Sequence, residues 1–200
     1  QRIMKMFGNK VLLKYKCGSH LFNLNNENSD VDYVIVVENF NGFACEKVEG
    51  IDYHILGIDK FREKMLFDKD TFDYLIVFNL DTYKIRENVE YLDDSFKEEF
   101  EKLINVDWEK ALNPFLTSVV NYFSRYIGYE NKKCMYHLYL INEFVKVYKD
   151  SGKFEYPKSE EAFTKALKFK NDIDKQKDSY TKDFKRILKF LSSYIINLNK

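Results

Sequence analysis

Two aspartates, Asp30 and Asp32, stand two positions apart at the start of an apolar segment, residues 31–37. Because side chains alternate between the two faces of a β-strand, residues at i and i+2 project on the same side. Two carboxylates held close together repel each other unless a cation lies between them. Such oxygen ligands suit Mg²⁺ or Mn²⁺, which bind one or two carboxylates together with substrate phosphates. The spacing therefore predicts a divalent metal site at the beginning of a strand.

A glycine–serine turn precedes these aspartates along the chain. Gly18 and Ser19 follow an apolar run, residues 11–17, and this pattern predicts a strand that breaks into a tight turn. Backbone N–H groups and a hydroxyl at such a turn suit an anionic phosphate. A third carboxylate, Asp52, stands on a later apolar segment that is able to pair beside the first. Three acids beside a phosphate-binding turn describe a two-metal centre for phosphoryl or nucleotidyl transfer.

The asparagine-rich loop before Asp30 has the composition of a calcium-binding loop, but its spacing does not fit. Counted from Asn23 as the first position, Asn28 stands where an EF-hand needs glycine. Val34 stands where the bidentate glutamate belongs. The sequence therefore excludes an EF-hand.

Two Cys-x-x-His pairs, Cys17 with His20 and Cys134 with His137, have a spacing found among zinc ligands. Cys17 ends a predicted buried strand, and a zinc ion at His20 would block the phosphate turn. We therefore expect the cysteines to be small buried hydrophobic residues. Three cysteines without a CxxC pair also indicate a reduced, cytoplasmic setting.

The pattern along the chain predicts an α+β protein: a small mixed sheet with flanking helices, followed by a helical domain. The boundary falls near Asp94, which gives a catalytic domain over residues 1–94 and a helical domain over residues 95–200. The predicted strands cover residues 11–17, 31–37, 43–48 and 51–57.

Helical patterns follow the predicted strands. Asp59 is expected to cap a helix over residues 60–67, whereas residues 72–79 are apolar enough for helix or strand. A Ser95–Glu98 capping box is expected to open the helical domain, and Pro114 to break or kink its next helix. Later helices are expected at 134–149, from Ser159, and at 179–197.

Composition and charge exclude several classes of protein. The 200 residues are 45% hydrophobic, 17% aromatic and 32% charged, which excludes a disordered or fibrous chain. The longest apolar runs are well short of 18 residues, so we expect no membrane partner. Residues 1–128 carry 16 basic and 22 acidic side chains, and residues 129–200 carry 16 and 10. The basic part is consistent with binding of a triphosphate or RNA, although a solvated lysine-rich helical surface is the simpler interpretation.

The segment from Gly18 to Asp32 resembles the nucleotidyltransferase superfamily typified by DNA polymerase β. That family's signature is an apolar strand, Gly-Gly or Gly-Ser, about ten residues, and then Asp-hydrophobic-Asp. Here ten residues separate Ser19 from Asp30, and Asp30-Val31-Asp32 matches the acidic part. More narrowly, Gly18-Ser19-His20 with Ser29-Asp30-Val31-Asp32 is similar to predicted phage and bacterial nucleotidyltransferases of the RNA-ligase-associated type. That likeness continues in Gly50-Ile51-Asp52-Tyr53 and, more weakly, around Lys132, Lys133 and His137.

The resemblance implies an Mg²⁺-dependent enzyme that moves a nucleoside monophosphate from an NTP to a hydroxyl acceptor and releases pyrophosphate. Asp30 and Asp32 would hold both metals, and Asp52 would bind the metal that activates the acceptor and accept the acceptor's proton. The acceptor would be an RNA 3′ end, a protein side chain or a small molecule. The remaining NTP or acceptor contacts implied by the resemblance are Gly18, Ser19, His20, Lys132, Lys133 and His137.

Two positions depart from the family pattern, and one other function stays open. Asn23 replaces a glycine of the family's loop, but asparagine tolerates a left-handed backbone, so we expect the turn to persist. An arginine that relatives place shortly after the helix histidine is missing, with Tyr139 and Leu140 nearby instead. The alternative function is a non-catalytic nucleotide-binding or toxin–antitoxin-type module that retains the fold.

Overall fold

The computed structural model describes residues 8–66, 73–81, 87–128, 132–155, 159–172 and 177–200. The chain divides into two compact units, residues 1–107 and residues 108–200. The predicted boundary after Asp94 falls inside the first unit, and the assignment of catalytic and helical roles to the two parts stays a prediction. Within the described residues, no helix combines the length and apolarity needed to cross a membrane.

The described part of the first unit contains a five-stranded mixed sheet with the strand order β3–β4–β2–β1–β5. Strands β2 and β4 run parallel, whereas the β1–β2, β3–β4 and β1–β5 pairs are antiparallel. The strands are β1 Val11–Cys17, β2 Val31–Val37, β3 Phe43–Val48, β4 Ile51–Gly57 and β5 Val89–Leu92. The four strands predicted from the sequence have the same bounds in the structure.

Strand β2 is central because its sequence is apolar on both faces. Tyr33 to Val37 are all buried, as expected for a strand with a neighbour on each side and covered faces. Strand β3 shows the opposite pattern, since exposed and half-buried residues alternate along it at the edge of the described sheet. The sheet therefore joins a buried central strand to a partly solvated edge.

Helix α1, Ile58–Met65, follows β4 directly and contacts both β4 and β2. Gly57 is its N-cap, so the prediction that Asp59 caps this helix is wrong; Asp59 lies in the first turn and pairs with Arg62 at 2.8 Å. A side chain at Gly57 would place its Cβ 1.7 Å from the carbonyl oxygen of Phe40, so only glycine fits. The last residue of the predicted helix, Phe67, lies outside the described residues.

Residues 72–79, which the sequence left open between helix and strand, contain helix α2, Tyr74–Asp81. Phe72 lies outside the described residues. Inside the unit, the Phe78 ring packs 5.3 Å from the ring of Phe22, measured between centroids. The apolar composition of this segment reflects burial rather than a strand.

Strand β5 was not predicted from the sequence. It is short and half-exposed, and side-chain contacts from the neighbouring strands hold it in place. Lys14 of β1 forms an ion pair with Glu90 at 2.7 Å, and the Tyr33 hydroxyl donates a hydrogen bond to Glu90 at 2.6 Å. These contacts depend on pairing between distant segments, which local sequence patterns do not specify.

Helix α3, Lys97–Ile104, closes the first unit after a 3-10 turn over Asp94–Phe96. The predicted Ser95–Glu98 capping box is absent from this described segment, because Asp93 accepts the hydrogen bond from the Ser95 backbone N–H at 3.0 Å. Glu98 instead forms an ion pair with Lys102 at 2.7 Å. Helix α3 packs on helices α1 and α2, so it belongs to the first unit.

The regular secondary structure in the described part of the second unit is helical. Its helices are α4 Trp108–Ser124, α5 His137–Ser151, α6 Glu160–Asn171 and α7 Lys177–Leu198. Helix α4 packs on α7, while α5 packs on both α6 and α7. Helix α4 runs through Pro114, and Gly152 ends α5 in the left-handed conformation at φ +68°. The architecture as a whole is α+β, as the sequence predicts.

Replacement of Phe61 should reveal how much helix α1 contributes to the first unit. Phe61 is 0% exposed and its ring packs 6.3 Å from that of Phe96. We expect Phe61→Ala to lower the free energy of unfolding by about 3–5 kcal/mol, because the cavity removes both apolar burial and packing. Urea denaturation followed by circular dichroism measures this change. The half-buried neighbour Lys60 only pairs with Glu63 on the helix surface, so Lys60→Ala should stay within about 1 kcal/mol of wild type. An equal loss in both variants would contradict the prediction.

The pair formed by Arg62 and Glu99 joins helices α1 and α3 through two hydrogen bonds, the longer of which is 2.9 Å. The hydrogen bonds from Arg62 lower the pKa of the Glu99 carboxyl. A carboxylate with a lowered pKa stabilises the fold above its unfolded-state pKa, and that stabilisation disappears as the pH falls through the folded-state value.

We therefore expect Arg62→Met to lower the melting temperature at pH 7, with the gap to wild type closing as the pH falls below the ordinary glutamate range. Thermal unfolding at pH 7 and at about pH 3 measures both gaps. Lys165→Met, which removes the partner of the exposed Glu161 in the second unit, serves as the charge-matched control. A gap for Arg62→Met that is independent of pH would show that the ion pair is not its origin.

Candidate active site

The glycine–serine turn lies directly against one of the predicted metal-binding aspartates. Strand β1 ends at Cys17, and Gly18–His20 form a single 3-10 turn. Gly18 has a left-handed backbone with φ +72°, and a Cβ built on it would lie 2.3 Å from Oδ2 of Asp32. Any side chain at Gly18 would therefore collide with the Asp32 carboxylate. This close approach confirms that the turn and the aspartate form one local site.

The loop that follows the turn is also shaped as the sequence indicates. Asn23 has φ +53°, so asparagine does adopt the left-handed conformation where the resembled family carries glycine. Backbone N–H groups of Phe22 and Leu24 donate to the carbonyl oxygen of Ser19 at 3.2 and 3.0 Å. These bonds hold the Ser19 carbonyl inside the loop. Ser19 itself is 9% exposed.

Asp32 and Asp52 are direct partners on the two parallel strands β2 and β4. Since partners in register point to the same face of a sheet, the two carboxylates lie side by side. Asp30 stands two residues before Asp32, immediately ahead of β2. The side chains of Asp32 and Asp52 are 27% and 31% exposed, and that of Asp30 is 53% exposed. The register therefore places Asp52 beside Asp32, and the roles of the three acids stay a prediction.

A lysine that the sequence analysis missed binds two of these carboxylates. Lys47 of β3 is the register partner of Asp52. Its Nζ lies 3.3 Å from Oδ2 of Asp52 and 3.3 Å from Oδ1 of Asp30. Hydrogen bonds to Asp52 and Asp30 raise the pKa of the Lys47 ammonium. Residues 43–48 show no alternation of polar and apolar types that would mark this face, and the β3–β4 register was needed to place Lys47 opposite Asp52.

His54 extends the group along β4. Its Nε2 lies 3.7 Å from Oδ1 of Asp32, and its Nδ1 lies 3.5 Å from Sγ of Cys45 on β3. The ring of Phe43 stacks on the imidazole with a centroid separation of 6.2 Å. Cys45 is exposed, so the expectation that the cysteines are buried is wrong at this position. Partial desolvation and the charge of Asp52 raise the pKa of its thiol. The i, i+2 spacing of Asp52 and His54 was the sequence signal for a shared face.

His20, the third member of the predicted phosphate turn, is partly buried. In the described part of the chain its Nε2 is buried without a hydrogen-bond partner. A buried ring nitrogen of this kind costs free energy unless it is paired, so a ligand or water that reaches it gains a hydrogen bond.

The remaining predicted contacts all lie in the second unit. Lys132 Nζ lies 3.9 Å above the centroid of the Tyr126 ring, Lys133 is exposed, and a 3-10 turn over Lys133–Tyr136 leads into helix α5. His137 is only 5% exposed, and burial lowers its pKa to about 3. The imidazole is therefore neutral at physiological pH and held in the interior of the helical unit. A role for these three residues in substrate binding stays a prediction.

Within the described residues, no three His, Cys, Asp or Glu side chains are arranged as a ready metal site. The chemistry of the donors nonetheless suits Mg²⁺ or Mn²⁺, because the site offers carboxylate oxygens on adjacent strands. The ammonium of Lys47 also shows that a positive charge is accommodated between Asp30 and Asp52. The residues therefore fit a divalent cation by donor type, with Lys47 as the cation that the carboxylates bind in this structure.

The surroundings of Cys17 disfavour the zinc site that the cysteine spacing allows. All three cysteines are free, and Cys17 is 5% exposed at the end of β1. Burial raises the pKa of the Cys17 thiol, so the thiolate that zinc requires is disfavoured. Cys134 lies 3.7 Å from the Tyr122 hydroxyl, measured from Sγ to the oxygen.

A separate groove of about 420 Å³ lies among helices α5, α6 and α7. Three cations line it, but each pairs with an acid on its own helix. The pairs are Lys146–Glu143, Lys165–Glu161 and Arg186–Asp183. The Tyr139 hydroxyl donates to Asp183 at 3.3 Å. The groove is therefore lined by balanced charge.

Comparison with known proteins gives little that bears on identity. No protein-family model matches the chain, and no curated protein matches it. Among solved structures, the chain is similar to the crystal structure of a nucleotidyltransferase-like protein from Exiguobacterium sibiricum 255-15. The identity is 12% and the TM-score 0.36, with 98% of this chain and 73% of that chain covered. A likeness this distant carries no argument about function, so the site must be judged from its own geometry.

Substitution of Gly18 should separate backbone strain from the contact with Asp32. Gly50 also has positive φ, at +81°, but a Cβ there would meet nothing within 4 Å. We expect Gly50→Ala to cost about 1 kcal/mol of stability, the penalty of a left-handed backbone. Gly18→Ala should cost more, since it adds the collision with the carboxylate. Urea denaturation of both variants measures the difference in the free energy of unfolding. Equal losses would show that the contact with Asp32 does not affect stability.

Proposed function

We propose that this protein is a metal-dependent nucleotidyltransferase that moves a nucleoside monophosphate from an NTP to a hydroxyl acceptor and releases pyrophosphate. The observation that carries the proposal is the register of Asp32 with Asp52 beside the Gly18 turn. Two carboxylates on adjacent parallel strands, next to a turn that admits only glycine, form a compact anionic site. The acceptor class, whether RNA 3′ end, protein or small molecule, is left open.

The reaction assigns a distinct task to each group. Asp30, Asp32 and Asp52 would hold Mg²⁺ or Mn²⁺, which when bound neutralises charge on the attacking and leaving oxygens. Asp52 would also accept the proton of the acceptor hydroxyl. Gly18 and Ser19 would bind the triphosphate through the backbone N–H groups and the hydroxyl of the turn.

The remaining assignments extend the proposal. His20 would donate a hydrogen bond from its buried Nε2–H to a triphosphate oxygen. Lys132, Lys133 and His137 are proposed as NTP or acceptor contacts on the basis of the resemblance alone. The narrower kinship with the RNA-ligase-associated type and a cytoplasmic location likewise rest on the sequence.

One observation favours the alternative, a non-catalytic nucleotide-binding or toxin–antitoxin-type module. Lys47 neutralises Asp30 and Asp52 from within the chain, and the described acids form no ready metal group. A protein without catalysis would retain such an ion pair for stability. The two functions differ in whether nucleotide binding requires a divalent metal.

Thermal-shift titration with ATP, CTP, GTP and UTP, each with and without Mg²⁺, distinguishes the two functions. For a transferase we expect stabilisation that needs the metal and disappears when Asp30 and Asp32 are both changed to alanine. Incubation with labelled NTPs and total RNA or protein then identifies the acceptor. In that assay Asp52→Asn should lower the rate at least about a hundredfold, since an essential electrostatic contact to the reacting atoms is lost.

Glu90→Gln is the matched control, because it makes the same type of change at a carboxylate bound by Lys14 and Tyr33. It should retain most of the transfer activity. Binding that is indifferent to metal, with no label transferred to any acceptor, would refute the transferase and favour the module.

A further inference from the structure

Lys47 has an unusual place among the charged residues of the sheet. It lies on the edge strand β3, and its ammonium lies 3.3 Å from one oxygen of Asp30 and 3.3 Å from one oxygen of Asp52. These two acids approach it from different segments, one from the residue before β2 and the other from β4. A single positive charge therefore bridges two of the three carboxylates of the candidate site.

This contact involves two of the three carboxylates that the proposed function assigns to the metal. An ammonium and a metal ion cannot both occupy the space between Asp30 and Asp52 without strong mutual repulsion. The Lys47 side chain is 55% exposed, so its flexible stem is able to carry the ammonium away into solvent. The chain thus contains a cation that is removable by rotation about side-chain bonds.

We propose that Lys47 is a built-in counter-cation that competes with the divalent metal for Asp30 and Asp52. The inference rests on the proposed function, because it takes these carboxylates as metal ligands. Without metal, Lys47 compensates the clustered negative charge and stabilises the sheet edge. With metal, Lys47 leaves the carboxylates, and its affinity for them sets how much cation the site requires.

The proposal predicts opposite effects of one substitution on stability and on metal affinity. Lys47→Met removes the charge but keeps a long unbranched side chain. In the absence of metal it should lower the melting temperature, because Asp30 and Asp52 then repel without a partner. It should tighten Mn²⁺ binding about tenfold at low ionic strength, since one competing charge next to two ligands is gone. The effect should shrink in high salt.

The experiment is Mn²⁺ titration of the metal-free full chain, followed by electron paramagnetic resonance and by isothermal calorimetry, without nucleotide. Lys47→Arg keeps the charge and should bind Mn²⁺ with nearly wild-type affinity. Lys102→Met removes an equal charge from an exposed pair on α3 and should also leave the affinity unchanged. Circular dichroism verifies that each variant is folded, and Lys47→Gln replaces Lys47→Met if the latter is not.

The outcomes separate this inference from the proposed function. Tighter Mn²⁺ binding in Lys47→Met or Lys47→Gln, but not in Lys47→Arg or Lys102→Met, supports competition by Lys47. Binding by wild type that is unaffected by removal of the charge overturns the inference and leaves the metal-dependent transferase standing. Absence of Mn²⁺ binding in wild type and in every variant also overturns the inference, whereas the transferase fails only if the nucleotide titration shows no dependence on Mg²⁺.

Discussion

The site depends on one constraint, the alignment of β1, β2 and β4 that brings Cys17, Asp32 and Asp52 level with one another. A slip of one residue between strands would turn an aspartate to the opposite face of the sheet. It would also separate Asp32 from Gly18, whose missing side chain leaves the space that the carboxylate fills. The buried apolar residues of β2 oppose such a slip, because each would lose the neighbours against which it packs. The packing of the core and the geometry of the site therefore depend on the same strand register.

Much of the fold was predictable because its signals are local. Four strands could be bounded from runs of β-branched and aromatic residues between turns, and each has the predicted bounds. Strand β5 could not be found from the sequence, since Val89–Leu92 is short and half-exposed. Its contacts come from Lys14 and Tyr33, which are distant along the chain. The cap of α1 was misassigned because Asp59 is a good capping residue by type, whereas the close approach of Gly57 to Phe40 decides where the helix begins.

The candidate site also contains residues that were predictable from the sequence and one that was not. The positions of Asp30, Asp32 and the glycine–serine turn follow from a contiguous motif, and Asp52 follows from pairing of two apolar strands. Lys47 could not be placed, because its role arises from the antiparallel register of β3 on β4, which no single segment encodes. The site therefore has a predictable set of acids and an unpredicted basic residue. That residue changes its chemistry, since the carboxylates are partly neutralised by the protein itself.

The acids and the lysine of this ion pair lie on strands that differ in their resistance to local opening. Asp32 belongs to β2, which has hydrogen-bonded neighbours on both sides, whereas Lys47 belongs to β3, which has one neighbour in the described sheet. Amide protons of an edge strand exchange through local opening more readily than those of a central strand. Fraying of β3 would withdraw the lysine while the acids remain in place. Local opening of the edge strand β3 would therefore remove the positive charge of Lys47 from the carboxylates without any movement of β2 and β4.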